Sequence, residues 1–76
     1  MTEMMRNFTY GDGTVLRLDV DPYQSPYNDG LCAKHTLTYD GHVIESRYHT
    51  SENDAIRWGD HAFDAHVRLM QRLGLA

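Results

Sequence analysis

One cysteine, one tryptophan, two prolines and only seven lysines and arginines occur among the 76 residues. Each scarcity closes off a class of explanation. Cys32 has no second cysteine, so neither an internal disulfide nor a CxxC redox or zinc pair is available, and a reducing cytosolic setting is expected. The opening stretch MTEMMRNFTY holds no continuous apolar run and carries Glu3, so it reads as neither a signal peptide nor a membrane span. Eleven acidic residues outnumber the basic ones and give a formal charge of −4, the wrong sign for gripping a phosphate backbone and a suitable one for a basic partner. A GxSxG elbow is missing, and Gly11 and Gly13 around Asp12 are too few, with no helix after them, to cradle a phosphate. An enzyme is not expected, and no cofactor is implied.

What is present fits one domain over residues 1 to 76, with a small core that is only marginally stable. In FTY-GDG-TVLRLDV, Leu16, Leu18 and Val20 alternate with Arg17 and Asp19, the period of a half-buried strand. Gly11 and Gly13 are expected to supply positive φ in the hairpin loop, with Phe8 and Tyr10 on the Leu16 face. In LCAKHTLTY-DG-HVIESRYH, Asp40-Gly41 between two β-rich arms predicts a two-residue type I′ turn. A regular ladder from that turn pairs Tyr39 with His42, Leu37 with Ile44 and Ala33 with Tyr48 on the core side. On the water side it pairs Thr38 with Val43, Thr36 with Glu45 and Lys34 with Arg47.

From about Ser51 to Leu73 the pattern turns helical. Ser51 is the expected N-cap, with Glu52 and Asp54 in the first turn, Arg68 and Arg72 near the other end, and Gly74 as terminator. Ile56, Gly59, Ala62, Phe63, His66, Val67, Met70 and Leu73 fall on one side, opposite Arg57, Asp60, His61, Asp64, Arg68 and Gln71. Gly59 within the apolar stripe suggests close approach of helix to sheet. The expected fold is α+β: a four-stranded antiparallel sheet with one C-terminal helix on one face, ββββα.

Five histidines invite a metal reading. His61 and His66 are five apart, which is not the i, i+4 spacing of a helical ligand pair, and His42 and His49 are expected on opposite faces of their strand. Cys32 opposite His49 on the outer face would supply two ligands where a structural zinc site takes four, so no metal site is assigned. His66 is expected as a hydrogen-bonded histidine between helix and sheet. Arg17, Lys34 and Arg47 would share the outer face as a short basic row, the basis of a nucleic-acid alternative, with Asp19 and Glu45 beside them as counter-charges. Trp58 lies at the margin of the apolar stripe.

The longest non-periodic stretch is DPYQSPYNDG, residues 21 to 30. Its prolines restrict the backbone, and Asn28-Asp29-Gly30 closes it with a turn. It is either a linker whose tyrosines fold back over the end of the core or a recognition loop, since tyrosine offers large amphipathic area at little rotamer cost. As a recognition loop it assigns Asp19, Asp21, Tyr23, Tyr27 and Asp29 to partner binding, with Asp60 and Asp64 on the helix as a further acidic patch.

In size, acidity, scarcity of cysteine, one-sheet-one-helix architecture and lack of a catalytic motif, the chain resembles the small inhibitor proteins encoded by phages and mobile elements, anti-CRISPR proteins in particular. That resemblance implies an inhibitor acting in the host cytosol, binding a large ribonucleoprotein effector and blocking its target DNA with a local acidic, tyrosine-bearing surface. It implies a protein partner with a basic surface rather than a membrane or direct nucleic-acid contact. The alternatives are a small structural or accessory subunit that homodimerises through a free strand edge or the helix margin, and a weak nucleic-acid binder using the basic row.

Overall fold

The structure, a computed structural model, describes residues 4–74; Glu3, used above in reading the first residues, lies outside the described residues. Strands β1 (Met4–Thr9), β2 (Val15–Pro22), β3 (Ala33–Tyr39) and β4 (His42–His49) precede one helix, α1 (Glu52–Arg72). The strands are antiparallel in the order β1-β2-β3-β4, an open sheet with α1 across one face, giving the α+β ββββα arrangement. No helix among the described residues is long and apolar enough to cross a membrane.

Alternation builds the core. Leu16, Leu18 and Val20 of β2 are fully buried with Ala33 and Leu37 of β3, beneath Ala55, Phe63 and Met70 of α1. Burying a Leu or Val side chain stabilises by roughly 1.5–3 kcal/mol, so the central strand contributes most to holding the layers together. Tyr10 lies on this face, as expected from its place beside Phe8. Gly59 allows the close approach: a Cβ there would stand 3.0 Å from a Leu18 methyl and 3.3 Å from the His35 Cβ. Ala55 joins the buried stripe and Leu73 leaves it, because the last turn of α1 projects past the core.

Both ends of α1 form as their residues dictate. The Ser51 hydroxyl accepts from the Asp54 N–H at 3.1 Å, and Gly74, at φ 75°, donates its N–H to the Gln71 carbonyl at 3.0 Å. Asp40 and Gly41 both have positive φ, as a type I′ turn requires. In the first hairpin only Gly13 does so, and Gly11 does not, because Asp12 closes the loop by accepting from the Thr14 N–H and hydroxyl.

The regular ladder expected for the second hairpin fails after two pairs. Tyr39–His42 and Thr38–Val43 form, but a β-bulge then sets both Ile44 and Glu45 against Leu37, so the register slips by one. Glu45 opposes Leu37 instead of Thr36, Arg47 opposes His35 instead of Lys34, Tyr48 opposes Lys34 and His49 opposes Ala33. Because side chains alternate faces, everything beyond the bulge changes sides. Glu45, Arg47 and His49 therefore point to the helix side, and His42 and His49 share a face rather than opposing one another. The outer row of Arg17, Lys34 and Arg47 does not form, and His49 is buried rather than paired with Cys32 outside.

Candidate interaction surface

The loop after β2 is held at both ends. Tyr23 donates its N–H to the Cys32 carbonyl at 3.0 Å, and its ring packs on Tyr48 of β4 with centroids 4.5 Å apart. Lys34 also lies over the Tyr48 ring, its Nζ 5.4 Å from the centroid. Tyr23 thus folds back onto the outer sheet face, not onto the core. Ser25 accepts from the Tyr27 N–H at 3.2 Å and Asp29 from the Leu31 N–H at 3.1 Å, while Asn28 and Gly30 take the positive φ of the closing turn. The Ser25 hydroxyl first and the Leu31 N–H second hold the Asp29 carboxyl below the usual carboxylate range. Within this brace Tyr27 is 81% exposed.

The acidic residues separate into three settings. Asp21 and Asp29 are exposed, Asp21 directly across from Lys34. Asp19 lies on the same outer face but is engaged by the Nε of Arg17 at 2.9 and 3.1 Å. Asp60 and Asp64 are on the other side of the sheet, where Arg6 of β1 donates to Asp60 at 2.6 Å and to Asp64 at 3.4 Å. The same guanidinium lies 4.3 Å from the Phe63 ring centroid. Asp60 and Asp64 therefore do not extend the loop surface; they fasten the helix to an edge strand.

Under α1 lies a buried polar chain that alternation could have flagged, since His35 sits between the inward positions Ala33 and Leu37. His35 is 1% and His49 6% exposed, and their Nδ1 and Nε2 are 2.7 Å apart with the rings stacked. His35 Nε2 lies 3.0 Å from Glu45 Oε2. An ionised Glu45 accepts only, so His35 Nε2–H donates to it and His35 Nδ1 accepts from His49 Nε2–H. Burial first, then the nearness of His35 and Arg47, lowers the His49 pKa; Asp54 and Glu45 oppose this weakly. At the far end of the helix side, His66 Nδ1 and the Tyr10 hydroxyl share a 2.6 Å hydrogen bond, as expected for an interface histidine, and burial and Tyr39 keep the Tyr10 phenol protonated by raising its pKa. No group of three His, Cys, Asp or Glu side chains among the described residues is placed to hold a metal ion.

One concavity follows from the bulge. A groove of about 330 Å³ runs between β4 and α1, walled by Leu37, Ile44 and Glu45 on the sheet and by Ala62, Ala65, His66 and Leu69 on the helix. Beside it Arg47 lies 5.4 Å from the half-exposed Trp58 ring, which meets His61 edge-on. No family model, curated protein or solved structure matches this chain.

Proposed function

We propose that the protein is a small non-enzymatic, protein-binding inhibitor that acts by occlusion, docking the loop from Asp21 to Asp29 on a basic surface of a nucleic-acid-handling complex, in the manner of the anti-CRISPR proteins it resembles. The observation that carries this is Tyr27, an aromatic residue 81% exposed at the tip of a loop whose backbone is braced by Ser25, Asp29 and the Tyr23–Tyr48 ring contact. A backbone braced before binding loses little freedom on docking, tyrosine has few rotamers to lose, and exposed aromatic rings supply much of the energy at protein interfaces. Asp21 and Asp29 flank it with negative charge that steers a cationic partner. Tyr23 is a support for the loop, and Asp19, Asp60 and Asp64, being internally paired, are left out of the contact.

The test is a pull-down from host lysate with the native protein beside the Asp21→Lys, Asp29→Lys double variant and Tyr27→Ala. A nucleic-acid-handling complex retained by the native chain and lost by both variants, with unchanged circular dichroism, is the expected result. Equal retention by all three, or by none, refutes the proposal.

A further inference from the structure

We propose that the groove between β4 and α1 is a second docking site, independent of the loop, for an extended apolar segment of a partner protein that adds a strand to β4 and offers a lysine or arginine to Glu45. β4 is an edge strand, so one row of its main-chain N–H and C=O groups has no neighbour within the sheet. A strand joining there would lie about 4.8 Å away, and alternate side chains would fall beneath the flank of α1. That flank is cut back: Ala62 and Ala65 face the groove where larger residues would have filled it.

The bulge is what gives the groove its chemistry. Without it Glu45 would face water beside Thr36; with it, Ile44 and Glu45 are both turned to the groove wall. Glu45 is the one acidic group in that wall. Its carboxylate is oriented by His35 Nε2, whose side chain is 2% exposed, yet Glu45 itself stays 44% exposed. A carboxylate has about four acceptor sites and His35 takes one, so a partner cation finds a pre-aimed, partly desolvated acceptor among walls that are apolar but for His66. Arg47, next on the same face, is turned to Trp58 and disfavours a second cation there, which fixes one basic residue per segment. A second copy of this chain suits the groove poorly, because along with the cation of Arg47 its β4 would bring a second carboxylate, Glu45, to the helix side where the walls call for apolar residues.

The test is selection of short random displayed peptides against the native protein in parallel with Ala65→Phe, which fills the groove from an exposed helix position, and Glu45→Lys. Enriched peptides are expected to alternate apolar residues around one Lys or Arg and to bind both variants at least about tenfold more weakly, a loss of roughly 1.4 kcal/mol. They should bind the Asp21→Lys, Asp29→Lys variant undiminished and shift the amide resonances of Ile44, Glu45, Ser46 and Ala65. The proposal is overturned if no peptide is enriched, if enriched peptides are acidic, or if they bind Ala65→Phe and Glu45→Lys as well as the native chain. Concentration-dependent dimerisation moving those same amides would replace the peptide by a second copy and overturn it too.

Discussion

The sheet has two free edges, and the helix treats them differently. At β1 the inward-pointing charge is Arg6, and its partners come from α1 itself, Asp60 and Asp64, with Phe63 under the guanidinium. At β4 two charges point inward: Arg47, which lies 5.4 Å from the Trp58 ring of α1, and Glu45, whose partner comes from the neighbouring strand, the buried His35. Where the helix supplies the counter-charge, the edge is strapped to it. Where the sheet supplies it, no ion pair ties the edge strand to the helix, and a groove between them stays open. Both edges use an inward charge, a recognised defence against indiscriminate strand pairing, but only one leaves room for a chosen partner.

Four experiments test whether the two edges are held in these different ways. The largest effect is expected at the β4 side, because its support is buried: His35→Ala opens a cavity beneath Gly59 and leaves the buried His49 without its partner, costing about 3 kcal/mol in a domain with little to spare. Urea unfolding measures it, and a cost no larger than that of Arg6→Ala would show that the two edges are not held differently.

Next comes pH. His49 has its folded pKa lowered, chiefly by burial, while the unfolded chain takes up a proton near the ordinary value of about 6.5. The unfolded state then binds more protons just below that value, so the stabilisation is complete above about pH 6.5 and is lost as the pH falls through the lower folded value. One added proton at His49 Nδ1 leaves the chain to Glu45 intact; a second would set two N–H groups against each other. Urea midpoints at about pH 7.5 and pH 5 should fall for the native protein, and clearly less for His49→Gln. Equal falls would move the titration elsewhere.

At the β1 edge, Arg6→Ala should cost only about 1 kcal/mol, since the ion pairs are partly exposed and the ring contact adds a modest amount. Asp60→Asn and Asp64→Asn should cost little further once Arg6 is gone, which a double-mutant cycle checks. Smallest of all, Tyr48→Ala should leave global stability within about 1 kcal/mol. It should nonetheless speed hydrogen exchange at Tyr27 and Leu31, because the Tyr23 ring contact on the outer face is lost. Unchanged exchange would mean the loop is braced by Ser25 and Asp29 alone.

Much of the architecture was legible in the residues. Alternation in Leu16, Leu18 and Val20, the Asp40-Gly41 turn, the Ser51 cap, the Gly74 terminator and the Gly59 contact are local consequences of side-chain size, hydrogen bonding and allowed φ. The bulge was not legible. HVIESRYH alternates about as well in either register, and what selects the bulged one is distant: His35 on β3 is buried whichever register forms, and only the slip gives it Glu45 and His49 as partners. The candidate site was half legible. DPYQSPYNDG marked the loop, yet nothing local distinguishes Tyr23, pinned by Tyr48 after the slip, from Tyr27, which is free. Asp60 and Asp64 looked like open acidic surface because Arg6 lies more than fifty positions away in the chain.

The bulge also bears on inheritance. A strand has a parity, and one extra residue at Ile44 reverses it for every codon that follows. Deleting that single residue would leave Glu45, Arg47 and His49 opposite the same neighbours, whereas any substitution that flattened the strand at full length would turn all three outward. At this one place in the gene, the loss of a codon is gentler on the buried histidines than an exchange that straightens the strand.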